Sequence, residues 1–305
     1  MARYGVIDVG SNTIRLCVYE VAERKGDKLP HLSTLLNLKD MAGLASYVEE
    51  GAMSDDGVAK AVRVIRDHLR NAEFYRCREV RAFATACLRN CSNSADVVAR
   101  IEKGIGTDIE LLPGEMEAHL GFRGADYDNP IKDAVLVDIG GGSVELTRIV
   151  DGAETCGVSL PQGSLSSFSQ YVRGLVPTPS EMERISAAFH ELLVQRPLEE
   201  YAAEALYGIG GSVRSAMKVY GDLFNGGERL GYLEPAHIER MLDSYRHDGA
   251  AFAHGALHTV PDRVHTFVPG CLLLRQIFAA TGAARLTVAK KGVREGYLLE
   301  RVLGY

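Results

Sequence analysis

Short apolar runs and amphipathic segments alternate along the chain, and one order of predicted elements occurs twice. Apolar runs of strand length predict β-strands, and apolar residues at helical spacing predict helices. In the first half the predicted strands are 3–7, 13–21, 29–38, 80–84 and 108–112, and the predicted helices are 56–73, 94–103 and one from about residue 115. In the second half the predicted strands are 132–138, 143–150, 153–160, 205–209 and 286–288, and the predicted helices are 180–196, one from residue 212, 235–247, 268–281 and 292–303. Three antiparallel strands followed by alternating helices and strands, written twice, indicate two mixed sheets flanked by helices.

Two local signals refine this pattern. Ser180, with Glu183 three residues later, is interpreted as the N-cap of the helix at 180–196. The segment DYDNP at 126–130 breaks the helix that starts near residue 115, so a hinge is expected near 124–132.

A glycine turn after an aspartate is repeated at the same place in both halves. The segment DVGSNT at 8–13 returns as DIGGGS at 138–143, and a third glycine element, GIGGS at 208–212, lies between a predicted strand and helix. Such turns offer backbone N–H groups and small hydroxyls to an anion. Two facing turns would hold a phosphate chain and a divalent cation in a cleft between the domains. The candidate phosphate-binding residues are Gly10, Ser11, Asn12, Gly140, Gly141, Gly142, Ser143, Gly210, Gly211 and Ser212.

Composition narrows the classes of protein that fit. The chain has 305 residues with 46% apolar content and a formal charge of −6, which argues against a protein that coats nucleic acid. No leader pattern or long apolar run is evident, so a cytoplasmic protein without a membrane anchor is expected. The six cysteines are expected to be reduced, and Cys87 and Cys91 lack zinc-ribbon spacing. His254 and His258 share a possible helix face, but they are better interpreted as solvated or core histidines than as metal ligands.

Several ordered blocks resemble the exopolyphosphatase/guanosine pentaphosphate phosphohydrolase (Ppx/GppA) family of the actin-like, sugar-kinase and Hsp70 superfamily. These blocks are 8–13, ATACLR at 84–89, GEMEA at 114–118, 138–143 with Glu145, 208–212, FVPG at 267–270 and GVREG at 292–296. The resemblance implies an α/β fold of two duplicated RNase H-like (actin-like ATPase) domains with an interdomain cleft. The domains are expected at 1–126, joined by the C-terminal helix at about 290–305, and at 127–289.

The resemblance also assigns roles to individual side chains. Glu117 is expected to act as the base that activates water, although the helix dipole alone would also favour a glutamate there. Asp138 and Glu145 are expected to hold Mg²⁺, with a solvated strand residue as the alternative for Glu145. Asp8 either contacts the metal through water or only braces its turn. Arg89 is expected to clamp a phosphate, or else to be a surface arginine.

The chain departs from the family pattern at basic positions. His119 stands where many members have arginine after the Glu-Ala pair, and Ser166 ends a segment that is Gly-Ala-Val-Arg in the family. The segment 41–51 offers Glu49 and Glu50 instead of an Arg-Leu-Gly pattern. Near the end of the chain, a basic cluster at 290–294 is explained equally by ligand contact and by a helix face in water. Short polyphosphate or a nucleotide pentaphosphate is therefore a more plausible substrate than a long polymer.

These observations predict a hydrolase that releases the terminal phosphate of inorganic polyphosphate or guanosine pentaphosphate and depends on Mg²⁺. An actin-like ATPase or kinase using the same cleft is the first alternative. A catalytically weak sensor that binds (p)ppGpp or polyphosphate is the second. A homodimer is compatible with the pattern.

Overall fold

The computed structural model describes residues 1–23 and 25–305. The described chain divides into two compact units, one formed by Met1–Leu120 with Arg294–Tyr305 and the other by Gly121–Val293. We call them the first unit and the second unit.

The first unit contains a five-stranded mixed sheet, a separate pair of short strands and helices. Its strands are β1 (Ala2–Val9), β2 (Ile14–Ala22), β3 (His31–Asp40), β4 (Val48–Glu49), β5 (Ala52–Met53), β6 (Glu79–Ala84) and β7 (Ile109–Leu111), and its helices are α1 (Asp55–Phe74), α2 (Ala86–Arg89), α3 (Ser94–Ile105) and α4 (Gly114–Asp126), which continues past residue 120. The main sheet has the order β3-β2-β1-β6-β7, in which β1 runs antiparallel to β2 and parallel to β6. The short strands β4 and β5 form a separate pair.

Helix α1 shows how the sequence forms this unit. Ser54 caps it by accepting a hydrogen bond from the backbone N–H of Gly57, as expected for an N-cap serine. One face of the helix is buried, including Val58 and Ile65, which pack in the same apolar cluster as Ile7 of β1. The burial of this face stabilises the helix against the sheet.

The second unit repeats the plan of the first. Its strands are β8 (Ala134–Ile139), β9 (Val144–Val150), β10 (Ala153–Leu160), β11 (Ala205–Ile209) and β12 (Arg285–Val288), and its helices are α5 (Ser164–Tyr171), α6 (Pro179–Val194), α7 (Gly210–Phe224), α8 (Pro235–His247), α9 (Gly249–Thr259) and α10 (Val264–Thr281). The sheet order is β10-β9-β8-β11-β12, with β8 antiparallel to β9 and parallel to β11. Helix α10 is buried along most of its length in the core of this unit.

The two sheets therefore have the same strand order and the same pattern of parallel and antiparallel pairs. The prediction of a duplicated α/β fold with two mixed sheets is confirmed. The interdomain cleft stays a prediction.

The structure corrects three helix boundaries. Helix α6 is capped by Thr178 with Glu181 rather than by Ser180 with Glu183, since Pro179 occupies the first helical position. Helix α10 begins at Val264, before the predicted start at 268, and contains Pro269. The predicted helix 292–303 is a short α-helix, α11 (Val293–Tyr297), followed by a π-helical turn at Leu298–Val302.

Helix α5 was not predicted, and α9 was indicated only by the possible helix face of His254 and His258. Both helices are rich in serine, alanine and glycine and therefore show little apolar periodicity.

Candidate functional site

The glycine turn of the first unit is a closed loop backed by a second segment. The backbone N–H of Gly10 donates to the carbonyl of Thr13 at 3.0 Å, which closes the turn between β1 and β2. The carbonyls of Ser11 and Asn12 accept hydrogen bonds from the N–H groups of Ala45 and Gly43, at 3.0 and 2.9 Å. The segment after β3 therefore fixes the backbone of this turn.

Asp8, near the end of β1, lies among cationic side chains. Its direct cross-strand partner on β2 is Arg15, so the two side chains stand on the same face of the sheet. Its Oδ2 atom lies 3.0 Å from Nη1 of Arg294 on α11. Arg15 in turn donates a hydrogen bond of 2.7 Å to Oδ1 of Asn37.

Glu117 lies in the first turn of α4 and is held by an arginine. The side chain is buried, and its Oε2 atom lies 3.0 Å from Nη1 of Arg89. The same Nη1 atom donates to the carbonyl of Leu112 at 2.7 Å, so Arg89 connects the start of α4 with the end of β7. Cys87, two residues before Arg89, donates its thiol to the carbonyl of Val9 at 3.3 Å, just before the glycine turn of the first unit. Burial raises the pKa of that thiol well above its ordinary value.

The glycine turn of the second unit has the same closure as the first. The N–H of Gly140 donates to the carbonyl of Ser143 at 3.0 Å, which matches the bond from Gly10 to Thr13. The first N–H groups of α5 bind this turn from behind, where Ser164 donates to Gly140 and Leu165 to Gly141, both at 2.9 Å. A β-carbon at Gly163 would clash with the backbone of Gly141, so the approach of α5 requires glycine there.

Asp138 and Glu145 are direct cross-strand partners in the hairpin of β8 and β9. Glu145 is buried, and its Oε1 atom accepts a hydrogen bond of 2.7 Å from the hydroxyl of Ser159 on β10. Carboxylate oxygens are the ligands that Mg²⁺ prefers, and the ion is commonly bound by one or two carboxylates together with substrate phosphates and water. The side chains present therefore fit Mg²⁺. Among the described residues, no group of three or more His, Cys, Asp or Glu side chains has the arrangement of a metal site.

The third glycine element lies against this hairpin and reveals an arginine that sequence reasoning missed. Gly210 has φ +82°, and a β-carbon there would clash with Oδ1 of Asp138. A β-carbon at Gly211 would clash with the guanidinium of Arg263. The negative charge of Asp138 acts on this guanidinium in the direction that raises its pKa. Burial lowers the pKa of Arg263, as expected for a cation removed from water. Its only sequence signal was a lone arginine before an apolar helix.

The hydroxyl of Ser212 is hydrogen-bonded within the second unit. This hydroxyl donates to the carbonyl of Ile139 at 3.0 Å, and its Oγ atom lies 3.2 Å from Oγ of Ser164. Ser164 Oγ also donates to the carbonyl of Gly140 at 3.1 Å. The two serines thus hold the carbonyl side of the second turn.

The basic cluster at 290–294 is divided between the units. Lys291 pairs with Asp128 at 2.5 Å and lies 4.5 Å from the centre of the Tyr127 ring, all within the second unit. Arg294 belongs to the first unit and pairs with Asp8.

The two substituted basic positions also have partners. His119 Nε2 lies 2.7 Å from Glu300 Oε2, and Ser166 Oγ accepts the N–H of Gly163 at 2.8 Å. The rings of His254 and His258 lie 4.8 Å apart on α9, and both side chains are exposed. In the described parts of the chain, no helix is both long enough and apolar enough to cross a bilayer. The cytoplasmic location stays a prediction.

Two sheets with one strand order, each carrying a closed glycine turn after an aspartate, define a two-domain α/β protein of the actin-like type. The chain belongs to the Ppx/GppA phosphatase family, whose model matches residues 19–304. The resemblance found in the sequence is thereby confirmed.

Relatives cover nearly the whole chain. Exopolyphosphatase 1 of Mycobacterium tuberculosis is 28% identical over 98% of this chain and 88% of its own length. The crystal structure of an exopolyphosphatase from Cytophaga hutchinsonii aligns with a TM-score of 0.83 at 22% identity, covering 99% of this chain and 98% of the other. The Ppx/GppA family member of Aquifex aeolicus aligns with a TM-score of 0.78 at 21% identity, covering 99% and 98%. These two structures show that the fold is shared.

Proposed function

We propose that this chain is an Mg²⁺-dependent phosphoanhydride hydrolase that releases the terminal phosphate of inorganic polyphosphate. Membership of the Ppx/GppA phosphatase family and similarity to proteins named exopolyphosphatases support this reaction. The observation that carries the proposal is the buried carboxylate of Glu117, oriented by Arg89 at 3.0 Å. A positioned carboxylate is what removal of a proton from the attacking water requires.

The chemistry divides among the side chains as follows. Glu117 accepts the proton of water, and Arg89 keeps the carboxylate in one orientation. The N–H groups and hydroxyls of the glycine turns bind phosphate oxygens, and Arg263 adds positive charge beside Gly211. Asp138 and Glu145 hold Mg²⁺, which when bound offsets the negative charge of the phosphate oxygens. Water attacks the terminal phosphorus directly while the bridging P–O bond breaks, so that inorganic phosphate and the shortened chain leave and no phosphoenzyme forms.

Short substrates, including guanosine pentaphosphate, are favoured over long polymers. The hydroxyl of Ser166 is bound to the backbone of Gly163, and His119 is paired with Glu300. Neither position supplies the fixed positive charge that an arginine would add. Affinity for a long polyanion depends on many such charges, so the absence of two arginines lowers the affinity for long chains most.

The test compares phosphate release from short polyphosphate, long polyphosphate, guanosine pentaphosphate and ATP. Glu117→Gln should lower the rate by about 10²–10⁴-fold, the usual contribution of a general base. Glu115→Gln is the matched control, since Glu115 is exposed in the same first turn of α4 and should leave the rate unchanged. Equal slow release by the wild type and Glu117→Gln would support the sensor instead. ATP as the sole substrate would support the ATPase or kinase.

A further inference from the structure

Arg294 is a largely buried cation at the start of α11, and its closest partner is an aspartate beside a glycine turn. Its Nη1 atom lies 3.0 Å from Asp8 Oδ2, and the two side chains are only 18% and 21% exposed. A buried charge requires a partner, because transfer from water is costly without one.

The surroundings of Arg294 make Asp8 its principal counter-ion. The neighbouring Glu295 accepts a hydrogen bond of 2.6 Å from the hydroxyl of Tyr19, which engages that carboxylate elsewhere. Among the described residues, the buried Nε atom of Arg294 has no hydrogen-bond acceptor. Burial lowers the pKa of Arg294, but the negative charges of Asp8 and Glu295 act in the other direction, and the pKa stays above its usual value.

Asp8 connects Arg294 to the turn. While its Oδ2 atom faces the guanidinium, a β-carbon at Gly10 would lie 3.9 Å from its Oδ1 atom, so the carboxylate stands beside the first residue of the loop. Asp8 also precedes Gly10 by only two residues near the end of β1, so a shift of its backbone reaches the turn that closes onto Thr13.

The equivalent aspartate of the second unit has a cross-strand partner of the opposite charge. The cross-strand partner of Asp8 is Arg15, whereas the partner of Asp138 is Glu145. A divalent cation next to Asp8 would meet one carboxylate and be repelled by Arg15 and Arg294. A cation next to Asp138 would meet two carboxylates, with Arg263 as the nearby positive charge.

We infer that Arg294 is a positioning residue that fixes Asp8 as a counter-ion and thereby holds the first glycine turn in place. Asp8 then braces its turn and does not bind the metal, and the ion depends on Asp138 and Glu145. This inference rests on the proposed function for its account of the metal.

The first test measures Mn²⁺ binding to the full chain by calorimetry, without substrate. Asp138→Asn should weaken binding by about tenfold or more, whereas Asp8→Asn should leave it unchanged. Equal weakening by the two variants overturns the inference, as does a wild-type chain that binds no Mn²⁺. Phosphate release is measured separately. A chain that binds Mn²⁺ but releases no phosphate contradicts the proposed function, and Mn²⁺ binding by Asp8→Asn and Asp138→Asn still tests the inference.

The second test separates positioning from stability. Arg294→Gln should lower kcat/KM for polyphosphate by about 10–100-fold through displacement of the turn, and Arg294→Lys should restore most of it. Mn²⁺ affinity should be unchanged in both. Arg63→Gln, at an exposed position of α1, is the control. A loss of thermal stability with unchanged kcat/KM in the folded protein overturns the inference.

A third variant guards against misfolding. If Arg294→Gln does not fold, the double variant Asp8→Asn/Arg294→Gln removes both charges and leaves no unpaired ion. It should fold, bind Mn²⁺ like the wild type and show the lowered kcat/KM. Wild-type kcat/KM in this double variant contradicts the positioning role.

Discussion

Arg89 supports the carboxylate of Glu117 through one nitrogen, which lies 3.0 Å from Glu117 Oε2 and 2.7 Å from the carbonyl oxygen of Leu112. A lysine carries the same charge but lacks the planar guanidinium that fixes such contacts. We expect Arg89→Lys to lower kcat by about 10–100-fold, as misplacement of a catalytic group does. Steady-state kinetics would check this, with Arg100→Lys at the exposed face of α3 as the control. Wild-type kcat in Arg89→Lys would show that the arginine does not position Glu117.

Ser159 supports the candidate metal site from the neighbouring strand. Its hydroxyl donates to Glu145 Oε1 at 2.7 Å, and Ser159→Ala removes this donor. Loss of such a supporting hydrogen bond typically weakens metal binding by about 10–100-fold. Calorimetric Mn²⁺ titration should show this loss in Ser159→Ala and not in Ser166→Ala, whose hydroxyl contacts Gly163 instead. Equal affinities in the two variants would argue that Glu145 is not a ligand.

Gly210 allows a close approach of backbone to Asp138. Gly210→Ala should cost about 1–2 kcal/mol of folding free energy from its left-handed backbone, and its β-carbon should also displace the carboxylate. Gly227→Ala is the matched control, because φ there is +86° and no atom lies within 4 Å of the added carbon. Both variants should lower the midpoint of urea unfolding, and only Gly210→Ala should weaken Mn²⁺ binding. If both retain wild-type affinity, the contact with Asp138 is not needed for the metal.

Glu181 links stability to pH through its capping box. The Thr178 backbone N–H, donating at 2.8 Å, is the largest of the hydrogen bonds that hold the pKa of Glu181 below its ordinary value of 4.5. The ionised carboxylate therefore favours the folded state above that value, and this contribution is lost as the pH falls through the lowered pKa. Glu181→Gln should lower the thermal midpoint at neutral pH, and its difference from the wild type should shrink in acid. Glu183→Gln, at an exposed position, should show neither effect.

The capping box also shows what sequence can and cannot decide. Two patterns of Ser or Thr followed by Glu overlap here, one at Thr178 and Glu181 and the other at Ser180 and Glu183. Pro179 selects the first, because its fixed φ and missing N–H suit the first helical position. The signal that distinguishes the two N-caps is therefore local, because a proline at the first helical position marks the residue before it as the N-cap.

The twin turns could be predicted for the same reason. Each is a run of about six residues whose small side chains and flanking strands specify the loop. The ion pair of Arg294 with Asp8 could not be predicted, since the two residues lie far apart in the sequence and only the folded chain brings them close. The position of the Arg263 guanidinium beside Gly211 could not be predicted for the same reason. Ion pairs between distant segments leave no spacing pattern in a single chain.

The hairpins β1–β2 and β8–β9 have the same antiparallel pairing, but the residue opposite the aspartate is positive in the first and negative in the second. Arg15 and Glu145 occupy the same register opposite their aspartates. If the two halves arose by duplication, both places first carried the same side chain, so at least one copy has since changed its residue. Specialisation of the two halves therefore required no rearrangement of strands, and a single codon at either position is enough to exchange a cation for an anion at the tip of a hairpin.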